Sequence, residues 1–485
     1  MGFYAAVSAV RIQAWLSRTP RLSLVRGASK ALTQATRRDT LSSSVALPDG
    51  VRFDNTSPEI AGVVVLVGDS LAALCLGVER TLVRLAQALP GVEWTGWAVE
   101  ASSYVEAVDT TRTRGEPALA TWRQTPSILD HPLLTGCSQC SFEAATASAH
   151  FPDGQVGLGP DCTIRHEAGA RSASEKDFKD FDALAQAGRG ASTVGRRDAL
   201  NHLATITADG NKVGDFFREL AKASASWGEQ APTIQCAFSG ALDAASRAAA
   251  TAACHADGVR IGIEHFVGGD DIFLSVAAAH AWTSVATLAL VFEDHFRAAV
   301  RDAVEGLGPE TSDEVREALL AASERVSLAI GVTFSQTKHP LDDARDWATK
   351  AEKRAKAFIN GTEAAVCWVD LTVESSLPRD RGVLVTQLVR ELADHDHAVL
   401  TMGSSMRSML IRQLRPDPAH PLTDVQRADA IRAWTERINK ATALEPYLPV
   451  KSPTEAQAAE ALGPLAGLVD RARWWPTTAA VKGEE

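Results

Sequence analysis

Residues 259–277, VRIGIEHFVGGDDIFLSVA, set two runs of alternating apolar residues on either side of a Gly-Gly-Asp-Asp tip. Period-two alternation interrupted by two glycines predicts an antiparallel hairpin with one face buried, and so fixes two neighbouring strands of a sheet. The surrounding elements narrow the choice of sheet. Before the hairpin stand the strand HLATITADG and helices that include FSGALDAASRAAATAACHADG. After it come the helix AWTSVATLALVFEDHFRAAV, the strand RVSLAIGVTFS, the helix PLDDARDWATKAEKRAKAFI and the strand AAVCWVDLTV. Strand, helix, hairpin, helix, strand is the order of a ferredoxin-like unit.

The chain of 485 residues is long enough for about three domains. FYAAVSAV, a helical stretch near Ile12 to Leu16, AGVVVLVGDS, the helix LAALCLGVERTLVRLAQAL and the strand VEWTGWAVEA read as a first α/β unit, expected to be a distant copy of the second. Pro, Gly, Ser and the paired cysteines then gather without a clear period, and the last hundred residues are mostly amphipathic helix. The expected fold is α/β (α+β), with two ferredoxin-like palm domains. Residues 1–125 form a first, degenerate palm, 126–195 a small cysteine-containing, zinc-finger-like insert or linker, 196–375 the second palm with GGDD, and 376–485 a helical C-terminal domain.

Composition excludes several classes. With 45% hydrophobic and 22% charged residues and no long uninterrupted apolar run, no membrane crossing is expected. Seven thinly spread cysteines do not resemble a secreted disulfide framework, so a reducing cytoplasm is expected. A net charge of -11 argues against coating nucleic acid unaided. Residues 1–38 nevertheless carry Arg11, Arg18, Arg21, Arg26, Lys30, Arg37 and Arg38 and no acid, which suggests a local basic face for phosphates. Organelle transit peptides share that composition, but FYAAVSAVRIQAWL reads as a strand running into a helix.

The tip carries the chemistry. Glycines accept positive φ and let a polyphosphate approach closely, because no Cβ intervenes. Adjacent carboxylates repel unless a cation lies between them, and Mg²⁺ or Mn²⁺ suits such oxygens together with substrate phosphates. Asp270 and Asp271 therefore suggest a metal site, and Asp209, ending the strand ITAD, is a third carboxylate placed to join them. Three acids suffice for two ions, the requirement of nucleotidyl transfer at an α-phosphorus. The plain alternative is a solvated turn in which Asp merely suits the geometry.

ITADGNKVGDFF, FSGALDAASRA, FVGGDDIFLSV and SLAIGVTFSQTKHPLDDARDWATKAEKRAKAF resemble, in order and spacing, the second palm of the large subunit of type III CRISPR effector complexes. AVRIQAWLSRTPRLSLVRGASKAL resembles that family's first palm, so the resemblance covers most of residues 1–375. It implies a palm that polymerises ATP into cyclic oligoadenylate for antiviral signalling, with Asp209, Asp270 and Asp271 as metal ligands. Gly268, Gly269 and Gly210 would lie against the nucleotide. Ser239 would face base or ribose, unless it is only a helix N-cap, and Lys338 would neutralise triphosphate. Gln336 departs from the family, which usually has His there. Lys350, Lys353, Arg354 and Lys356 read instead as a solvated helix face paired with acids such as Glu352. Guide RNA and small effector subunits are the implied partners.

Cys137 and Cys140 are spaced CxxC, as for zinc. Members of the family that the chain resembles often place a second CxxC downstream; here only Cys162 is present, and Gly159 stands where the resemblance would put the third cysteine. His166, or less readily His150, would complete four ligands; a loop that has lost its metal is the alternative. In the first unit Val67, Gly68, Asp69 and Ser70 offer one acid in place of two, so no second metal site is expected. His395 and Asp396 form an isolated HD dipeptide without helical partners, and with the chain opening on its first palm, DNA cleavage is not expected. Two rivals follow: an idle scaffold that binds RNA and partner subunits, and a diguanylate cyclase, disfavoured because Ile272 follows Asp271.

Overall fold

The computed structural model describes residues 2–475 except 56, 58, 109, 112–114, 127–133, 172–177, 188–200, 225–226, 310, 359, 374–380, 394–403, 415–421, 438–443, 446–447 and 450–452. His395 and Asp396 lie outside the described residues.

The first sheet contains β1 (Gly2–Val10), β2 (Val51–Phe53), β3 (Val63–Gly68), β4 (Glu93–Ala101) and β5 (Ala120–Gln124), ordered β2-β3-β1-β4-β5 and antiparallel throughout. The opening segment is thus a central strand, flanked by β3 and β4. A small hairpin follows, β6 (Ala147–Phe151) with β7 (Gly154–Leu158). The short pair β9 (His255–Ala256) and β10 (Val259–Arg260) stands apart, extending the approach to the GGDD hairpin.

The second sheet holds β8 (His202–Asn211), β11 (Gly262–Gly268), β12 (Asp271–Ala277), β13 (Ser327–Gln336), β14 (Ala365–Asp370) and β15 (Val383–Leu384). Their order is β11-β12-β8-β13-β14-β15. In both sheets the hairpin lies to one side of the first strand and the fourth strand lies on its other side, so the two share one topology. β14 is added parallel to β13 through the helix Leu341–Phe358, as a crossover connection requires.

Alternation decides which face carries what. Ala208, Ile206, Ile272, Leu274, Ile330 and Val332 point into the main core, under the long helices Ala231–Ala253 and Ala281–Glu305. Asp209, Asp271 and Phe273 take the other face. There Phe273, Phe266 and Leu341 join the core of the first unit, with Trp15, Val25 and Ala28. The acid-bearing face of the second sheet is therefore the one turned toward the first unit.

At the far end the C-terminal helices dock through aromatic and ionic contacts. Trp474 stacks on Phe334 at 5.0 Å and donates to Asp370. Arg471 pairs with Glu391 at 2.7 Å in a buried ion pair. Among the described residues no helix is long and apolar enough to cross a membrane.

The basic opening segment is largely engaged within the fold. Arg18 bonds Asp161, Arg21 bonds Gln139 and Asp153, Arg26 bonds the Phe178 carbonyl, and Arg38 bonds Ser57 and Glu59. The expected phosphate-facing patch is in large part a set of clamps between segments distant in sequence.

Candidate active site and metal centre

The hairpin forms where the alternation predicts it: Gly268 pairs with Asp271 across the turn, and Gly269 adopts a φ of 64° with nothing within 4 Å of the space a Cβ would take. That turn needs glycine, and it leaves an open approach to the tip. On the other side of β12, Ile272 stands opposite Ala208, so one step further along the ladder sets Asp271 beside Asp209. Antiparallel partners lie about 5 Å apart at Cα. Asp270 packs over Gly210, where an added Cβ would come within 2.8 Å of the Asp270 carboxylate. The three acids meet. The corresponding positions of the first sheet are Ser8 and Val63, which face each other without a carboxylate. Asp69 and Ser70 belong elsewhere: they follow β3, and Ser70 caps the helix Leu71–Ala88 by accepting from the Ala73 amide.

Two residues that the sequence assigned to a solvated helix face complete the cluster. Lys356 donates to the Asp209 carboxylate and, at 3.3 Å, to the Gly210 carbonyl. Glu352, one turn earlier, is buried. Burial, and then the charges of Asp209 and Asp271, push its carboxyl up to about 7. Asp271 meets solvent on one side, but the protein packed around its carboxyl, together with Asp270 and Asp209, pushes it to about 7 as well. Burial disfavours the Lys356 ammonium, yet Asp209, Asp270 and Glu352 outweigh that effect and raise its pKa. One lysine among four carboxylates leaves a surplus of negative charge that a divalent cation with oxygen preference fits.

Gly331 explains how the helix reaches the acids. A Cβ there would lie 1.9 Å from the Ala348 carbonyl oxygen and 2.4 Å from the Glu352 amide, so the helix sits directly on β13 and delivers Glu352 and Lys356 to the cluster. Gly331→Ala is expected to lower stability by about 1–3 kcal/mol through backbone overpacking. Thermal melts check this.

Lys338 is not part of this site. Ala329 is the partner of Asp209 on β13, whereas Gln336 stands about 23 Å further along an extended strand. Lys338 follows that distant end and is exposed, pairing with Asp182 at 2.6 Å. Ser239 lies well inside the helix Ala231–Ala253, half-buried, so it is not an N-cap. Gln336 ends β13, remote from the acids.

Cys137, Cys140 and Cys162 converge with Glu143, their ligand atoms all within 4.8 Å of one another. The three thiols are buried. Hydrogen bonds from Cys140 and then Cys162 hold the Cys137 thiol far below its ordinary value. Reciprocally, the bond to Cys137 is the first cause raising both partners. Three thiols crowded so closely give up all their protons to solvent only where a cation takes the sulfurs. Tetrahedral Zn–S bonds place sulfurs about 3.8 Å apart, which suits this spacing. His166 is not in the group; it meets Phe151 edge-on, with ring centroids 5.1 Å apart. His150 is exposed on β6. CxxC made the thiols legible, but no spacing rule points to Glu143.

The second sheet, its GGDD hairpin and the carboxylates beneath the tip define a palm domain. Residues 202–363 match the family described as Cas10/Cmr2, second palm domain. Over that span the chain is similar to the second palm domain of Cas10/Cmr2. Solved structures are more remote. Csm1 from T. onnurineus is 15% identical, covering 98% of this chain and 70% of that one at a TM-score of 0.48. The Csm1–Csm4 cassette in complex with cA4 is 13% identical over 98% and 70%, at 0.49, and that with pppApA is 13% identical over 98% and 69%, at 0.48. No curated protein matches the chain significantly.

Proposed function

We propose that this chain is a metal-dependent nucleotidyltransferase that joins ATP through 3′–5′ bonds and closes the product into cyclic oligoadenylate for antiviral signalling. The observation that carries the reading is the meeting of Asp209 with Asp271 across β8 and β12, beneath an open glycine tip and beside Lys356. Asp209, Asp270 and Asp271 would hold Mg²⁺ or Mn²⁺. Such ions, when bound, lower the pKa of an attacking hydroxyl and offset charge on the phosphates.

The chain's own residues supply the rest. Gly269 leaves room for phosphates against the turn, and Lys356, which bonds Asp209, is placed to offer its ammonium to a triphosphate oxygen, while Asp209 would be a ligand to a divalent ion. Glu352, buried behind Lys356, keeps the ammonium charged and aimed. Ser239 is proposed to meet the nucleotide from the helix Ala231–Ala253. The first unit closes the acid-bearing face from the other side, restricting water. A structural zinc on the three thiols belongs to the same reading, as do guide RNA and small effector subunits as partners in the cytoplasm.

Purified protein given α-labelled ATP with Mg²⁺ or Mn²⁺, alone and in an RNA-loaded complex, is expected to yield cyclic oligomers. No product under either condition would favour the scaffold reading. Loss of a charge-assisted bond costs about 1.5–3 kcal/mol, so Lys356→Gln is expected to lower kcat/KM for ATP by about 10–100-fold. Lys338→Gln, at the opposite end of the strand, is expected to leave it unchanged. Steady-state rates of the two variants side by side distinguish these sites.

A further inference from the structure

Glu143 stands where no ligand was expected. The Cys137 amide donates to the Glu143 carbonyl at 2.7 Å, closing the CxxC loop and carrying the Glu143 side chain back over the thiols. Its carboxylate accepts from the Asp161 amide at 3.0 Å and the Cys162 amide at 3.3 Å, and lies 3.6 Å from the Cys140 sulfur. A Cβ built on Gly159 would fall 2.5 Å from both Cγ and Cδ of Glu143 and 2.9 Å from its Oε2. The carboxylate thus fills the space into which a side chain at 159 would project.

We infer that Glu143 is the fourth ligand of a Cys₃Glu zinc site, its carboxylate taking the place of a ligand that residue 159 cannot supply. This rests on the zinc reading above. The chemistry is consistent: three thiolates and one carboxylate carry four negative charges, and a compact, buried, four-ligand set is the form structural zinc takes. Two amides at the start of the helix Pro160–Arg171 orient the carboxylate, as outer partners of metal ligands do. Glycine at 159 is then a requirement, because any side chain there displaces Glu143.

The test uses the full chain loaded with Co²⁺, whose absorption reports both thiolate count and geometry. Wild type is expected to bind one Co²⁺ with the charge-transfer intensity of three thiolates and tetrahedral d–d bands. Glu143→Gln is expected to keep the three-thiolate intensity, shift the d–d bands and weaken affinity by about tenfold or more. Gly159→Cys alone is expected to lower Tm by collision with Glu143. Adding Glu143→Ala is expected to restore Tm and raise the charge-transfer intensity in the ratio of four thiolates to three. Cobalt binding with d–d bands unmoved in Glu143→Gln but altered in His166→Ala would overturn Glu143 as ligand and leave the zinc reading standing. No cobalt bound by wild type would overturn both.

Discussion

The double change Asp270→Ala, Asp271→Ala is expected to abolish cyclic oligoadenylate synthesis while leaving the fold as stable as before, or more so. Metal-held charge contributes several kcal/mol to such transition states, so a loss of about 10³-fold or greater is expected in turnover. The stability half of the outcome discriminates more sharply. Asp271 titrates near 7 because burial and the charges of Asp270 and Asp209 oppose its ionisation. Its folded pKa lies above the usual carboxylate value, so its protonation favours the fold at low pH, and that contribution is lost as pH rises toward 7. At higher pH the ionised group is a source of repulsion that alanine removes. A solvated turn of ordinary aspartates would show neither the loss of turnover nor the gain in Tm. Product assays and melts at pH 8 without added metal, on wild type and variant, separate the two.

The second large effect concerns Asp161. Its fully buried carboxylate accepts from Trp15 Nε1 at 3.1 Å, Arg165 Nε at 2.7 Å and Arg18 Nη2 at 2.5 Å. Burial opposes its charge, but the Arg165 and Arg18 guanidiniums prevail and hold its pKa below the usual range. Arg165 is itself fully buried, donating to the Trp15 carbonyl at 2.8 Å and lying over the Trp15 ring. Asp161→Ala strands that guanidinium, and breaking a buried pair in this way costs about 3–5 kcal/mol. Because Cys162 is the next residue, the loss is expected to loosen the thiol cluster too. Denaturant melts and metal content measure both. Replacing Asp153, whose partner Arg21 is partly exposed, is expected to cost about 1 kcal/mol or less.

Much of the palm was legible because its signals are local. Alternation around GGDD set the hairpin, the apolar run before Asp209 set its strand, which continues to Asn211, and the order of elements set the sheet. The helices after Arg21 in the first unit were less legible: Leu22–Thr36 and Arg38–Ser44 lie in a stretch whose positive charge drew attention to phosphates. Arg18, Arg21 and Arg26 instead meet Asp161, Asp153 and the Phe178 carbonyl, each more than a hundred residues away. Such pairs leave no trace in a sequence window. The lysine assignment failed for a related reason. Lys338 and Lys356 both follow β13 in the chain, but antiparallel pairing puts the acids at the start of that strand, and only a helix returning over Gly331 brings a lysine back to them.

By itself the sequence determined the turn, the three carboxylates and the three thiols, since backbone conformation at Gly269 and side-chain chemistry are properties of short stretches. Tertiary structure alone decided that Lys356 and Glu352 face the acids, that Glu143 rather than His166 joins the thiols, and that Arg18, Arg21 and Arg26 bind partners across the fold. Those outcomes depend on strand register and on which side chain fills a gap between packed elements. Both are settled by contacts between residues far apart in the chain.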